Sequence, residues 1–437
     1  DSPAMLAMVA WAKAEQAAVL GNTTTEVTGY VFVRGPVAPE SPFERDSFVP
    51  GSDLFVAIDG VTRNITAAAH ASGPADVRQP AVSHDAKHIA FAMRRDAADN
   101  FNIYEVAIDG TGLRQLTYDR ALPGGGRAHH VEPTYGPDGR VYFSSTRAGM
   151  LADGHAELDS DIWAVHPATG ALERMTFTPS PEVTPSFIST SKSYGSLAFT
   201  MRRTLGGRYE APVFRVALDH NKAFHGDPEV HVHHGISVGH DIVYAMRTMP
   251  DGRFSCVLMT RDEPLASGTL AIFDRQFGPE ISVGMEAESA VGGFRHAFTE
   301  LSAGTRFRHP VPLPDGRLLV TRLDPDSGDM GVYIATLGHS DGGRTITDLQ
   351  PLFDDTGTHE RDAEPIAVRP LEDDPTHPAA WSPDAARGTL AFRHVETLEA
   401  ILSNLSQTGP KPLRDDLRYL RFIESVAVTP SELTAHP

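Results

Sequence analysis

The chain has 437 residues, 41% of them hydrophobic, with 38 Gly, 33 Pro and a formal net charge of −19. Such a length holds one large repeat fold or two to three ordinary domains, and such a composition is globular and turn-rich rather than disordered. An acidic surface repels phosphate backbones, which argues against nucleic-acid binding, and no apolar run approaches the ~20 residues of a membrane helix, so no membrane span is expected.

In chain order, Asp1-Ser2-Pro3 leads into an Ala-rich segment from Met5 to Leu20. Its Leu6, Val9, Ala10, Lys13, Ala17 spacing predicts a short helix with one apolar stripe, opened by Pro3 and stopped at Gly21-Asn22. A start other than Met reads as a mature chain after removal of an export signal, so a periplasmic or extracellular location is expected. Strands begin at Thr28, with Gly29–Arg34, Asp53–Gly60 and Arg63–Thr66, around a long Pro-rich loop from Pro36 to Pro50. A second set runs Gln79–Phe91, Asn102–Gly110 and Leu113–Thr117.

The clearest unit is Glu132 to Thr176. Gly136-Pro137-Asp138-Gly139 is a tight turn in which Asp closes the turn and Gly accepts positive φ. Val141 to Ser145 is rich in β-formers, Asp161–Val165 alternates between two faces, and Thr169-Gly170 is a hairpin turn before Met175-Thr176. Four antiparallel strands in about 45 residues make one β-propeller blade. Ile103, Tyr104 and Thr117 each lie 59 positions before Ile162, Trp163 and Thr176, and several matches at one offset mark a repeat. Further copies start at Thr184, at His240 and at His309, with Pro-Asp-Gly-Arg recurring at Pro250–Arg253 and Pro314–Arg317. Trp381-Ser382-Pro383-Asp384 with Thr389–Arg393 either closes the ring with the N-terminal strands or begins another blade. The expected fold is therefore an all-β propeller with six blades, seven as the alternative. The expected boundaries are an N-terminal helix and lead-in over 1–27, the propeller over 28–400 and a linker tail over 401–437. Sharing a blade between the chain ends would leave no free sheet edge. The single cysteine, Cys256, sits in an apolar run and reads as a buried, inert thiol.

The Pro-Asp-Gly turn, the Asp-Ile-Trp or Asn-Ile-Tyr strand and the Thr-Gly hairpin resemble the TolB-like propeller repeat. Gly388–Arg393 and Leu413–Glu424, with Leu420-Arg421-Phe422-Ile423-Glu424, resemble the propeller domain of hydrazine synthase alpha subunits and their relatives. That resemblance implies a periplasmic setting near redox partners. In the family a c-type haem module with Cys-x-x-Cys-His often follows the propeller; this sequence has no such motif, so no covalent c-type haem is expected in it. Propellers serve many functions, so the resemblance speaks to fold.

Candidate chemistry lies in three places. Among 20 histidines, His231, His233, His234 and His240 form the densest group, and His129-His130 precedes the first strand of the third blade. If these loops share a rim, they could hold Zn, Cu or Fe; the alternative is loop histidines on an acidic surface. The carboxylate-rich segments Asp153–Asp161 and Asp324–Asp329 could hold Ca, but lack the full calcium-loop pattern and read as solvated turns. Arginines recur near the second strands at Arg94-Arg95, Arg147, Arg202-Arg203, Arg247, Arg261, Arg322 and Arg393. Arg95, Arg147, Arg203, Arg247, Arg261 and Arg322 either pair with carboxylates of neighbouring blades or ring one mouth of the channel for an anionic ligand. There is no Gly-x-Ser-x-Gly elbow, and Gly124-Gly125-Gly126-Arg127 lacks the Lys-Ser/Thr of a phosphate loop. The function expected is an exported, non-catalytic scaffold or interaction subunit that offers rim loops (Gly35–Pro50, Arg147–Asp161, His220–His240) to a partner protein. The alternative is a metal-binding accessory subunit of a periplasmic redox complex, hydrazine synthase-like or multihaem. A propeller hydrolase or lyase ranks third.

Overall fold

The computed structural model describes residues 25–36, 43, 45–69, 73–118, 121–122, 127–152, 158–188, 195–205, 208–218, 226–230, 240–261, 263, 266–273, 298–302, 304–340 and 343–369. The helix expected over 3–20, the closing piece at Trp381–Arg393 and the tail lie outside these residues.

Strands β1 (Val27–Gly35), β2 (Asp53–Ile58) and β3 (Val61–Asn64) pair in sequence. Strands β4 (Asp76–Val82), β5 (His88–Arg94), β6 (Asn102–Ala107) and β7 (Arg114–Gln115) form a four-stranded antiparallel meander. So do β8 (His130–Tyr135), β9 (Val141–Ser145), β10 (Asp161–Val165) and β11 (Leu172–Arg174). In the next unit β12 (Glu182–Phe187) and β13 (Gly195–Met201) are followed by a two-stranded excursion, β14 (Arg203–Leu205) and β15 (Arg208–Glu210). The meander then resumes with β16 (Val213–Leu218) and β17 (Gly226–Val230). Strands β18 (Ile242–Thr248), β19 (Phe254–Met259), β20 (Thr269–Phe273) and β21 (Phe298–Glu300) follow. Last come β22 (Phe307–Pro312), β23 (Leu318–Leu323), β24 (Met330–Ser340) and β25 (Gly343–Phe353), and then β26 (His359–Ala367). Strand β26 pairs antiparallel with β1, so the sheet β26-β1-β2-β3 is built from both ends of the described chain. The inner strands β26, β4, β8, β12, β18 and β22 adjoin one another in a closed circuit. The described strands thus make six four-stranded units around one axis, the architecture of a β-propeller.

Local chemistry explains the repeats. In the third unit Gly136 N donates to Arg140 O at 2.8 Å, Gly139 N to Gly136 O at 3.0 Å, and Arg140 N to Asp138 Oδ1 at 3.1 Å. Asp251 and Asp315 cap Arg253 and Arg317 in the same way. Packing explains the apolar runs. Along β5, Ile89, Phe91 and Met93 pack with Val31, Val33, Leu54 and Val56 of the first unit. The intervening Ala90 and Ala92 pack with Phe101, Val131, Val141 and Phe143 toward the third. Both faces of a blade are buried, so its strands read as nearly continuous hydrophobic sequence, and small residues on one face admit large ones from the next blade. Cys256 is a free, buried thiol in β19, within one of these interfaces.

Each inner strand is broken by a register shift, and each carries one residue other than glycine at positive φ. These are Gln79, Glu132, Thr184, Ala245, His309 and Asp362, with φ between 49° and 57°. In four of the six the next residue is proline: Pro80, Pro133, Pro185 and Pro310. A bulge turns a strand's edge inward, and proline is tolerated there because that edge has no ladder partner.

Candidate functional site: the central channel and its mouths

The six bulges face the axis and line one pocket. Gln79, Glu132, Thr184, Tyr244, Arg247, Arg308, His309 and Asp362 form its polar wall, with Pro80, Pro133 and Pro185 between them. Glu132 ties this wall together. Its Oε2 accepts the Thr184 N–H at 2.7 Å and lies 3.3 Å from Arg45 Nη2, and its Oε1 accepts the Tyr244 hydroxyl at 3.0 Å. Its own N–H donates to Gln79 Oε1 at 3.0 Å. One residue, through its carboxylate and its backbone N–H, thereby joins four blades and a loop. Burial, with the Glu132 charge beside it, pushes the Tyr244 hydroxyl well above its ordinary pKa, which keeps it a proton donor to Glu132. Across the ring Arg308 grips Asp362 through Nε–Oδ1 at 2.8 Å and Nη2–Oδ2 at 3.1 Å, and both side chains are almost fully buried. Glu132 and Asp362 are thus engaged as hydrogen-bond acceptors in the wall, which suits a binding frame better than an acid–base pair.

One mouth is covered from within the chain. The loop between β1 and β2, expected to project toward a partner, folds over the end at which the inner strands begin. Arg94 Nη1 donates to Asp46 O at 2.8 Å, Arg78 Nη2 to Ser47 O at 2.9 Å, and Val49 N to Asp76 Oδ2 at 2.7 Å. Phe43 packs against Val183, Tyr244 and Ala245, with the Arg202 guanidinium 5.5 Å from its ring centroid. Phe48 carries the Arg94 guanidinium at 5.1 Å. Residues of four blades therefore hold this loop down, and Arg45 reaches from it to Glu132.

The opposite mouth is lined by charged side chains. There His309 Nε2 lies 3.2 Å from Glu364 Oε1, and Arg247 Nη2 stands 4.0 Å from the same oxygen. Arg369 N donates to His84 O at 2.8 Å, and its guanidinium bonds Val82 O. Burial alone would raise the Glu364 carboxyl, but its bond to His309 and the charges of His309, Arg247 and Arg369 bring it below its ordinary value. Burial, helped by Arg369, lowers His84 to about 4, so its ring is neutral near pH 7.

The candidate residues from the sequence separate into distinct places. His129 and His130 are buried but aim at different partners: His129 Nε2 lies 3.3 Å from Asp46 Oδ1, and His130 Nδ1 lies 2.9 Å from Ser145 Oγ. Burial pushes them down to about 4 and about 3; for His129 the pull of Asp46 opposes burial while the charges of Arg94, Arg45 and Arg78 add to it, and for His130 the Arg147 charge adds to burial. His240, in another blade, lies 3.5 Å from Glu300 Oε1. His231, His233 and His234 lie outside the described residues. Among the described residues no three His, Cys, Asp or Glu side chains converge as a ligand set.

The arginines differ too. Arg95 bonds Asp99 at 2.8 Å in its own loop, Arg147 lies 5.8 Å over Trp163, and Arg322 bonds the Tyr333 hydroxyl at 3.3 Å. Each of these three contacts lies within one blade. Arg261 is exposed, its backbone N–H 3.4 Å from Asp241 Oδ2; the Arg203 side chain and Arg393 lie outside the description. Arg247 corrects the sequence reading: it belongs to the inner strand β18, not to the end of a second strand, and so it faces the channel. The repeat position also includes Arg34, which pairs with Glu360 at 2.7 Å. The sequence points to Glu132 only as a neighbour of His129 and His130, and not to Arg308, Asp362, Glu364 or Arg369 as site residues. The recurring X-Pro at one blade position was the signal that could have found the ring.

Beneath the outer face of the third blade sits a second group of buried acids. Glu182 accepts from Thr178 Oγ1 at 2.8 Å, from Ile162 N at 3.2 Å and from Thr176 Oγ1. Burial, offset by these hydrogen bonds and reinforced by Asp161, raises it to about 8. Burial raises Asp159 to about 7, with Asp161 adding to it, and raises Asp161 itself to about 6 against the pull of Arg174.

No family model and no curated protein matches this chain. Among solved structures, hydrazine synthase of Kuenenia stuttgartiensis is similar at 16% identity and a TM-score of 0.60, over 81% of this chain and 48% of that one. TolB from Acinetobacter baumannii is similar at 16% identity and a TM-score of 0.47, over 83% and 73%. The chain therefore spans about half the length of the hydrazine synthase chain it matches. At that identity the likeness shows the fold alone, and it agrees with the strand pairing: the chain is a β-propeller.

Proposed function

We propose that this propeller is a non-catalytic interaction module that binds a partner protein on the outer face of its third blade. The supporting observation is a group of large apolar side chains in the connections of that face. Tyr118 leads into the blade, Met150 and Leu151 lie in its β9–β10 loop, and Phe177 follows its last strand. They are 65%, 59%, 60% and 63% exposed. Scattered apolar residues are ordinary on a surface, but four around one blade end are the material of an interface core. The β9–β10 loop is tied down beneath them by a Leu151–Leu158 bridge and by Asp159 N donating to Met150 O at 2.8 Å. Met150 and Leu151 are therefore held in place at the base of that loop. The engagement of Glu132 and Asp362 in the channel wall supports binding over catalysis, and the half-length likeness to hydrazine synthase is consistent with a module of a larger assembly.

The test is a quantitative pull-down from the native source with the full chain and with Met150→Glu/Phe177→Glu. The double variant should keep the wild-type melting temperature yet recover a stoichiometric partner about tenfold less well or worse, since each buried anchor contributes about 1–2 kcal/mol. Equal recovery by both proteins would sink this reading, as would self-association through this face in light scattering.

A further inference from the structure

We infer that the apolar face of the third blade is held together by a proton. Protonated Glu182 is the positioning residue that keeps both segments carrying the anchors in place, and loss of its proton releases them. The inference rests on the partner-binding reading of that face and adds its control. Two stretches of chain present the anchors, and both are tied to Glu182. Thr176 and Thr178, on either side of Phe177, place their hydroxyls on its carboxyl, Thr178 at 2.8 Å. From the other stretch, Ser160 O accepts the Glu182 N–H at 2.8 Å, and Ser160 Oγ donates to Glu182 O at 3.0 Å. The preceding residue, Asp159, donates its N–H to Met150 O at 2.8 Å. Met150, Leu151 and Phe177 thus reach a common support through one residue.

The bonding around this carboxyl calls for a proton. Glu182 is fully buried, and among the described residues its side chain meets two hydroxyls and a backbone N–H but no cation. Thr178 has one hydroxyl proton for two acceptors, Glu182 Oε1 at 2.8 Å and Ser180 O at 3.1 Å, so both contacts are hydrogen bonds when Glu182 supplies the second proton. The other charged groups nearby are engaged elsewhere. Asp161 Oδ1 takes Arg174 at 2.8 Å, while Asp161 Oδ2 and Asp159 Oδ1 are buried with no hydrogen-bond partner among the described residues. Arg202, whose backbone N–H bonds Pro181 O at 2.9 Å, turns its guanidinium to Phe43. Arg45 reaches the Ser144 hydroxyl, which itself bonds Glu182 O, but pairs with Glu132. His130 lies on Ser145, and burial keeps its ring neutral. Asp153, His155 and Glu157 of the β9–β10 loop lie outside the described residues. Ionised, Glu182 is a buried charge without a counter-ion. Water reaches it most directly by lifting the connection above it, where residues 177–180 are exposed or half-buried. Burial puts its proton loss at about pH 8.

Hydrogen exchange of the full chain at pH 6 and pH 9, scaled to the intrinsic amide rates at each pH, tests the inference. Between the two, protection of residues 158–162 and 176–182 should fall about tenfold further in the native chain than in Glu182→Gln, with β4–β6 alike in both. Comparison with the variant removes the groups common to both chains, Asp159, Asp161 and the buried histidines among them. If Glu182→Gln fails to fold, the native chain alone decides, because the fall must be confined to these two segments. An equal fall in Glu182→Gln, a fall spread evenly over all blades, or no fall in either segment would each overturn the inference. Exchange is read without a partner, so its failure leaves the docking reading standing, and the pull-down can fail while the exchange result holds.

Discussion

Glu132 sits in the left-handed region at φ 57°, a conformation that costs a residue with a Cβ about 1 kcal/mol or more. The bonds to Thr184, Tyr244, Gln79 and Arg45 offset that cost, because the bulge is what carries the carboxylate to the axis. Glu132→Ala leaves the Tyr244 hydroxyl without its acceptor and Arg45 without its carboxylate, and should cost about 3 kcal/mol in urea unfolding, with Glu132→Gln roughly half as damaging. An effect below about 0.5 kcal/mol would show that the wall holds without it. Glu182 gives a different signature. Its folded pKa of about 8 lies above the ordinary 4.5, so the folded chain holds a proton that the unfolded chain releases. Stability from this group is therefore greatest below about pH 4.5 and declines as pH rises toward about 8, by about 2–4 kcal/mol. Asp159 and Asp161, raised to about 7 and about 6, act in the same direction. The buried, neutral His84, His129 and His130 act in the opposite direction below about pH 6.5, so the readout is the difference: between pH 5 and pH 8 the urea midpoint of the native chain should fall relative to that of Glu182→Gln, and parallel profiles would contradict the assignment.

At the scale of elements, the sequence disclosed the repeating parts and hid those that break the repeat. Strands β4–β6 and β8–β10 were legible because Asp-Gly turns and β-branched runs are local signals, and the offset of 59 residues reappears between β6 and β10. Strands β25 and β26 were missed. His359–Ala367 reads His-Glu-Arg-Asp-Ala-Glu-Pro-Ile-Ala, a polar run that resembles a loop, yet every residue in it is buried. It is polar because it lines the axis, where Glu360 meets Arg34, Asp362 meets Arg308 and Glu364 meets His309. Those partners lie 326, 54 and 55 positions away in the chain, a separation at which no local pattern operates. The same reason hid the inner-strand place of Arg247: its neighbour Glu364 is an inner-strand residue of another blade. The loop between β1 and β2 was recognised as long and proline-rich, but its fixed position depends on Arg78 and Arg94 of the second blade, which the sequence presents only as members of a recurring set.

For the molecule as a whole, the pairing of β26 with β1 is the clasp of the ring. Ile366 lies in the core between the first and second units at 2% exposure. Placing a charge there should loosen every blade interface in turn rather than one strand. Ile366→Asp is expected to lose about 4 kcal/mol or more and to lower the thermal midpoint in a single transition, whereas Val61→Asp, at a site 59% exposed, should leave it within about 1 °C. Two resolved transitions in Ile366→Asp would mean that the blades are not cooperatively coupled. The clasp also puts a delay into synthesis. The hydroxyl of Thr28 finds its acceptor on Ile366, 338 residues later. At ribosomal rates of about 5–20 residues per second, β1 waits about 20–70 s for the strand that covers its inner edge. Throughout that interval an apolar strand with an unpaired edge is available to any neighbouring nascent chain, so the yield of this protein is expected to depend on whatever shields that edge until the last blade arrives.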